Sequence, residues 1–453
     1  LHRLIRRQRQ MCIRDRNDSQ KTNEQVVESH QKDLSLGNYP DESTEIVHEP
    51  AEHINDLKES IVDETHKENL VADTLDNTSK SEFARILLGK GKNTNKDFYW
   101  EYGNSGLSNR HMIITGKSGQ GKTYFIQTLL YELSKNKIDS IVVDYTDGFL
   151  PTQLEREFIE GLGDKIEHRI VTLEKLPFNP FQLREIDLGG GIKFPENVQD
   201  MIDRVTQVLD FVFKLGPQQK YELSNAIREG YQTFGDKFTF TKLKRQLEDS
   251  DSAQTKLLGR ISTLLDRDPF AYDDDFTWDS IFTNTGTVHI FQLKGFQLNI
   301  QKILIEFMLW DLWGYSQATG SKDKPLPIVL DEVQNLDFSS EAPTVKILQE
   351  GRKFGWSGIF ATQQIDSIKG DGVKAIYNAT EAIHFLPPEV QVKTIAKAYT
   401  TDENKRAEFE VMLKSLKKGE AIDVGPNLNV DGSLSETNFN PIMITQLQDR
   451  IDD

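Results

Sequence analysis

Cysteine is almost missing from the sequence, with only Cys12 among 453 residues. A single cysteine excludes an intrachain disulfide and any zinc site built from a cysteine cluster. The sequence also has no run of about 18 apolar residues, which a membrane-spanning helix would need. Its first residues lack the apolar region of a signal peptide. We therefore expect a cytoplasmic protein with no membrane partner.

Basic residues are scarce relative to acidic ones. The sequence has 54 Lys and Arg against 71 Asp and Glu, a formal net charge of -17. This excess argues against a surface coated by nucleic acid, although a basic channel can lie inside an acidic protein. Hydrophobic residues make up 37% of the chain, which is enough for one large domain or two moderate ones.

The first 80 residues differ from the rest. Residues 1–16 are rich in arginine and contain "MCIRDR", which resembles a translated sequencing adapter, so we expect them not to be native. The alternative is a short basic arm that binds nucleic acid. Residues 17–80 carry about eleven more acids than bases and one aromatic residue, Tyr39, which predicts a disordered acidic linker. His48 and His53 could bind a metal, but solvated histidines in such a linker are usually not ligands.

From Ser81 onward, apolar β-rich segments alternate with helical ones. Several of the segments are apolar on both faces, as expected for strands of a parallel sheet covered by helices on each side. The pattern predicts an α/β domain over residues 81–453, with a helical insertion at about 181–278 in which Pro195 begins a helix and Gly216-Pro217 ends it. The predicted strands are 98–102, 111–115, 140–145, 168–173, 287–293, 327–333, 358–362, 382–386 and 419–425.

The segment "GKSGQGKT" matches the phosphate-loop pattern G-x-x-x-x-G-K-[ST] in every fixed position. An apolar strand pattern precedes it and an amphipathic helix pattern follows, as that motif requires. Glycines let the backbone curl around phosphates with its N–H groups pointing inward, at a helix N-terminus that favours anions. The alternative is a glycine-rich turn without a ligand. The predicted phosphate-binding residues are Gly116, Lys117, Ser118, Gly119, Gln120, Gly121, Lys122 and Thr123.

These motifs predict specific roles in binding and hydrolysing ATP. We expect Lys122 to reach the β- and γ-phosphates and the Thr123 hydroxyl to bind Mg²⁺. The apolar strand in "LPIVLDEVQNL" ends in two acids, of which Asp331 would hold the metal and its water shell. Glu332 would then orient and polarise the attacking water as the catalytic base. An exposed acidic pair at a strand end is the alternative.

The order of the motifs resembles the HerA/FtsK class of RecA-like ring ATPases, which pump DNA, together with their conjugation relatives. The matching segments include "NRHMIITGKSGQGKT", "VHIFQLKG", "IVLDEVQNL", "LQEGRKFGWSGIFATQQ" and "GEAIDVGPN". Within the class, "HMIITGKSGQGKTYF" and "VVDYTDGF" are most similar to the C-terminal ATPase of DNA phosphorothioation-dependent restriction proteins of the DptH type. The resemblance implies a RecA-like P-loop fold with a mainly parallel sheet, and a homohexameric ring with ATP between subunits. It also implies double-stranded DNA in the pore and nuclease or restriction proteins as partners.

The resemblance also implies roles for residues around the later strand "GIFAT". Gln363 would sense the γ-phosphate, and Gln364 would face the other way because side chains alternate along a strand. Arg352 would act as an arginine finger in the neighbouring subunit's site. The alternatives are a strand-edge amide bonded to backbone for Gln363 and a helix C-terminal cap for Arg352. Lys193 and Lys294 are candidates for DNA contact, although each could be an ordinary surface lysine.

The motifs predict ATP hydrolysis, and the resemblance implies a DNA translocase or helicase-like motor that acts in a restriction or defence system. One alternative is a protein-secretion or conjugation-type ATPase of the same fold. Another is a nucleotide-gated assembly module with little hydrolysis, which Glu332 argues against. A GTPase is disfavoured because the nearest N-K-x-D-like segment, "NTNKD", lies upstream of the phosphate loop instead of downstream.

Overall fold

The computed structural model describes residues 83–188, 192–249, 255–273, 275–368 and 371–452. The segments 1–16 and 17–80, predicted to be non-native and disordered, lie outside the described residues. Within the described residues, no helix is long and apolar enough to cross a membrane.

The strands of the described part are β1 (Ile86–Gly91), β2 (Asp97–Trp100), β3 (Met112–Thr115), β4 (Ser140–Asp144), β5 (Ile166–Ile170), β6 (Glu185–Asp187), β7 (Lys193–Pro195), β8 (Val288–Gln292), β9 (Leu326–Leu330), β10 (Trp356–Thr362), β11 (Glu381–His384), β12 (Glu420–Leu428) and β13 (Leu434–Ile444). The helices are α1 (Lys122–Lys135), α2 (Arg156–Leu162), α3 (Val171–Glu174), α4 (Val198–Phe213), α5 (Pro217–Phe234), α6 (Phe240–Glu248), α7 (Thr255–Arg267), α8 (Leu298–Thr319), α9 (Pro343–Glu350), α10 (Asp371–Ile376), α11 (Glu389–Tyr399), α12 (Glu403–Ser415) and α13 (Leu447–Asp452).

Eleven strands form one sheet, in the order β2-β1-β13-β12-β11-β3-β10-β9-β4-β8-β5. The pairs from β11 to β5 are parallel, whereas those from β2 to β11 are antiparallel. Strands β6 and β7 form a separate antiparallel hairpin. The α/β class with a mainly parallel sheet is therefore confirmed.

Helices cover both faces of the sheet. In β4, Ile141 and Val143 point to one hydrophobic core, which includes the apolar side of α8. Val142, between them, points to a second core, which includes Phe125 and Leu129 of α1. Because neighbouring strand residues face opposite sides, a strand covered on both faces must be apolar throughout. Every residue of β4, β9 and β10 is buried, as that requirement predicts.

The insertion between residues 181 and 278 starts differently from the prediction. Pro195 does not begin a helix but ends strand β7 of the hairpin. The helix begins at Val198, because the Asn197 side chain accepts a hydrogen bond from the backbone N–H of Gln199 and caps the N-terminus. It is the first of four helices, α4 to α7, in the described part of the insertion. Pro217 takes the first position of α5 and so begins that helix as well as following the end of α4.

Other boundaries also differ from the sequence prediction. Strand β5 ends at Ile170, and the predicted continuation to residue 173 is the short helix α3. Strand β1 was not predicted, because its six residues include two glycines and give only a short apolar pattern. Here β1 is held by Arg450, whose fully buried guanidinium donates to the carbonyls of Leu87 at 2.6 Å and Leu88 at 3.1 Å. The segment before the phosphate loop therefore extends the main sheet.

Candidate active site

The phosphate loop connects the carboxyl end of β3 to α1. Gly116, Gly119 and Gly121 all have positive φ angles, which L-residues with side chains rarely adopt. A Cβ atom at Gly116 would also lie 2.6 Å from the Cβ of Phe385, so space as well as conformation requires glycine there. Gly121 is the N-cap of α1, which aims the free N–H groups of the first helical turn at the loop.

Lys122 is the first residue of α1, and its side chain lies along the loop. Its side-chain ammonium donates to the carbonyls of Gly116 at 2.9 Å and Lys117 at 3.1 Å. Burial lowers the pKa of Lys122, and the nearby carboxylates of Asp331 and Glu332 partly offset that effect. The ammonium is thus held in the loop as the predicted phosphate ligand.

Asp331 follows β9 directly and is only 9% exposed. Its Oδ1 accepts a hydrogen bond of 2.8 Å from the backbone N–H of Glu332. The pKa of Asp331 is raised to about 6, mainly by burial and also by the neighbouring Glu332, while the N–H bond from Glu332 and the charge of Lys122 act in the opposite direction. A buried carboxylate next to a second carboxylate is stabilised by a bound cation.

Glu332 has a left-handed backbone, with φ 46° and ψ 46°. Its carboxylate accepts hydrogen bonds from two side-chain amides, one from Gln334 at 2.6 Å and a short one from Gln363. The amide oxygen of Gln334 in turn accepts a 2.6 Å hydrogen bond from the Thr362 hydroxyl. Because that bond fixes which way the amide of Gln334 points, its NH₂ group faces Glu332.

The sequence analysis did not identify Gln334 or Thr362 as functional residues. Gln334 lies two residues after the acidic pair, and Thr362 is the last residue of β10. Their pairing depends on the turn after Glu332, which folds that segment back toward β10. Gln334 lies in a turn beyond the end of β9, so no strand pattern in the sequence points to it or to its pairing with Thr362.

The two glutamines after β10 have different surroundings. Gln363 is half-buried and its side chain bonds to Glu332, whereas Gln364 is exposed and bonds through its backbone, with its N–H donating to the Thr362 hydroxyl and its carbonyl accepting from Ser367. The carbonyl of Gln363 accepts a 3.1 Å hydrogen bond from the side chain of Gln391 in α11. The side chain of Gln363 therefore bonds to a carboxylate, whereas the alternative of a strand-edge amide would have it bond to backbone.

Arg352 lies far from this subunit's own site. It is part of a short 3₁₀ turn, Gly351–Phe354, that precedes β10, whereas Gln363 follows β10. A seven-residue strand spans roughly 23 Å at about 3.3 Å per residue, so the two residues lie at opposite edges of the sheet. The guanidinium is exposed and makes no hydrogen bond or ion pair within the described part of the chain, so it does not bond to the helix carbonyls as a cap would.

The two lysines considered for DNA contact are both paired with carboxylates. The ammonium of Lys193 lies 2.6 Å from Glu185 and 3.7 Å from Asp187, across the β6–β7 hairpin. Lys294 lies 2.9 Å from Asp147. All of these pairs are on the surface, where such contacts contribute little to stability.

The phosphate loop, Asp331, Glu332 and Gln363 line one cavity of about 950 Å³. The cavity is also lined by Tyr124, Glu155, residues 417–420, Met443, Ile444 and Gln446. That volume lies at the upper end of the range typical for small-molecule sites, so a nucleoside triphosphate fits within it. The phosphates would lie against the loop.

ATP and Mg²⁺ fit the donor set of this site. No group of three or more His, Cys, Asp or Glu residues that could hold a metal occurs among the described residues. Mg²⁺ commonly binds through one or two protein oxygens together with phosphates and waters. The Thr123 hydroxyl and the Asp331 carboxylate line the cavity beside the loop and provide such oxygens.

Comparison with known proteins agrees with this site. Residues 104–312 match the family model DUF87, described as the central domain of helicase HerA. Among solved structures, the chain is similar to VirB4 of Thermoanaerobacter pseudethanolicus, with a TM-score of 0.58 and 18% identity over 80% of this chain and 96% of that chain. It is also similar to the bacterial conjugative coupling protein TrwBdeltaN70 in its unbound form, with a TM-score of 0.51 and 14% identity over 74% of this chain and 86% of that chain. A search of curated protein sequences finds no significant match.

The similarity to VirB4 and to TrwB confirms the predicted RecA-like P-loop fold. The family match begins before the phosphate loop and ends within α8, so it contains the predicted nucleotide-binding residues.

The structure predicts that Lys122 is required for nucleotide binding, whereas Lys117 in the same loop is not. Lys117 is exposed, and in the contacts described above it offers the loop only its backbone. Replacing Lys122 by alanine should weaken binding of a fluorescent ATP analogue about 10- to 100-fold, because one charge-assisted contact to phosphate is lost. Lys117→Ala is the matched control and should bind within about threefold of the unchanged protein. Equal losses in the two variants would contradict the assignment.

Proposed function

We propose that this chain is the subunit of a ring-shaped motor that hydrolyses ATP with Mg²⁺ to move double-stranded DNA. The observation that carries the ATPase part is the Glu332 carboxylate, held between two amides in the same cavity as the phosphate loop. A protein that only binds nucleotide has no need for a carboxylate oriented in this way.

Each residue of the site has a defined part in the proposed reaction. Lys122 and the N–H groups of the loop bind the phosphates and stabilise the negative charge that moves onto ADP. Glu332 accepts a proton from a water molecule while the oxygen of that water attacks the γ-phosphorus. The bond from that phosphorus to the bridging oxygen breaks, which yields ADP and inorganic phosphate. Gln363 contacts both Glu332 and the cavity, so it can respond to the presence of the γ-phosphate.

The bound Mg²⁺ supplies charge neutralisation for the phosphates and fixes their orientation. Thr123 and Asp331 would hold it. Burial and the adjacent Glu332 make the ionised form of Asp331 less favourable in the protein than in water. Binding of the metal therefore compensates a charge that the fold leaves poorly solvated.

The position of Arg352 supports a ring with sites between subunits. Arg352 cannot reach its own site from the opposite edge of the sheet, and its guanidinium has no partner within the described residues. In a head-to-tail ring, one surface of each subunit contacts a different surface of the next subunit. In such a ring Arg352 would stabilise transition-state charge in the neighbouring site. A homohexamer and a role in DNA restriction are part of this proposal through the family resemblance.

A conjugation-type or secretion ATPase fits the fold equally well. The similarity to VirB4 and to the coupling protein TrwB extends over about three quarters or more of this chain. The two functions differ in what stimulates turnover, since a DNA motor responds to DNA and a protein-secretion ATPase responds to a protein partner.

We expect duplex DNA to stimulate ATP hydrolysis by the full chain, because translocation couples each turnover to movement along the duplex. Phosphate release should rise at least about tenfold with duplex DNA and fall as salt increases, as phosphate contacts imply. Lys122→Ala is the control and should show no turnover with or without DNA. Turnover that ignores DNA would contradict the DNA motor and favour the secretion ATPase, and an active Lys122→Ala variant would contradict the ATPase site itself.

For Arg352, mixing two inactive variants provides a decisive test of action between subunits. Arg352→Ala keeps a complete phosphate loop but gives no arginine to its neighbour, and Lys122→Ala has the opposite defect. Random mixing at equal amounts should restore about a quarter of full activity, because half the intact loops have a neighbour that supplies arginine. A Lys353→Ala variant is the control and should be active alone. No recovery on mixing would contradict action between subunits.

A further inference from the structure

Tyr145 contacts the backbone on which both active-site acids are placed. It follows the end of β4, next to β9 in the sheet, and its ring is buried. Its hydroxyl lies 2.5 Å from the carbonyl oxygen of Asp331 and 2.6 Å from that of Glu332. The single hydrogen of this hydroxyl can be donated to either of two successive carbonyls or shared between them.

These two carbonyls lie where the sheet no longer holds the chain. The pairing of β9 with β4 and with β10 stops at Leu330, one residue before Asp331. The backbone then turns sharply, because Glu332 adopts the left-handed conformation with φ 46°. For a residue other than glycine this conformation is unfavourable and persists only where the surroundings impose it. The Tyr145 hydroxyl is a donor placed to impose it.

Tyr145 is itself firmly placed. The preceding residue, Asp144, is buried and accepts hydrogen bonds from the side chain of Gln292 at 2.6 Å and from the backbone N–H of Phe149 at 2.8 Å. Both bonds fix the end of β4 and the turn after it. A rigid donor can select one backbone conformation in its neighbour, whereas a mobile one cannot.

The conformation of Glu332 determines where its carboxylate points. In the left-handed conformation the carboxylate meets the amides of Gln334 and Gln363 and faces the cavity. An extended backbone at this residue would continue the strand direction and turn the side chain elsewhere.

We propose that Tyr145 is a positioning residue for hydrolysis: it fixes the Asp331–Glu332 backbone so that Glu332 is presented to the attacking water. This inference rests on the proposed ATPase function. Tyr145 acts through Glu332 and does not contact the reacting atoms. The segment "VVDYTDGF" thus contributes to catalysis through a hydroxyl that is aimed at the backbone of a different strand.

The test is Tyr145→Phe, which removes the hydroxyl and keeps the ring. We expect kcat for ATP to fall about 10- to 100-fold, because a misplaced base loses near-attack geometry, while KM changes less than about threefold. The matched control is Tyr102→Phe, which also deletes a buried hydroxyl, one that bonds to Ser357 at 2.8 Å outside the cavity. This control should keep its kcat. A Tyr145→Phe variant with unchanged kcat, or with KM and kcat altered together, would overturn the proposal.

A double variant separates positioning from a general structural effect. In single-turnover reactions, adding Tyr145→Phe to Glu332→Gln should cause no further loss, because the group being positioned is already gone. Equal losses in both backgrounds would overturn the proposal.

A crystal structure of Tyr145→Phe gives a readout that does not need activity. Glu332 should leave the left-handed region or its carboxylate should leave the two amides, and an unchanged Glu332 would overturn the proposal. If the unsubstituted protein does not hydrolyse ATP, the proposed function fails, and this structural readout still decides the role of Tyr145.

Discussion

The parallel pairing of β3 with β10, and of β10 with β9, is the constraint on which the active site depends. Thr115 is paired with Thr362, and Phe360 with Leu330. Neighbouring strands lie about 4.8 Å apart, so the residues that follow them start as close neighbours at one edge of the sheet. The phosphate loop follows β3, the acidic pair follows β9 and Gln363 follows β10. A change of strand order or direction would separate these groups.

The same edge holds features that are unfavourable for stability. Lys122 and Asp331 are largely buried, and both have pKa values shifted by that burial toward the neutral form. Glu332 adds a left-handed backbone at a residue that is not glycine. Such features persist at sites that bind charged ligands, because the charges of the ligand stabilise the buried charges of the protein. Binding of nucleotide with Mg²⁺ should therefore relieve costs that the fold alone carries.

The sequence predicted the parts of the site that depend on local motifs. The phosphate loop, the acidic pair and Gln363 each follow an apolar strand pattern, and the parallel sheet brings them together. Gln334, Thr362 and Tyr145 could not be predicted in the same way, since their contacts depend on the left-handed turn at Glu332. The strand β1 and the true start of α4 were missed because a short glycine-containing strand and an asparagine cap give weaker signals than a proline. The role of Arg352 stays a prediction, because it concerns a second subunit.

The central claim is that Glu332 makes this nucleotide site hydrolytic. The most direct test compares nucleotide binding and turnover in the Glu332→Gln variant, which keeps the size of the side chain and removes its ability to accept the proton. The account predicts ATP affinity within about threefold of the unchanged protein. Steady-state hydrolysis should fall about 10²- to 10⁴-fold, as expected for loss of a general base. Unchanged hydrolysis in this variant would contradict the account, because the base would then have to be another group.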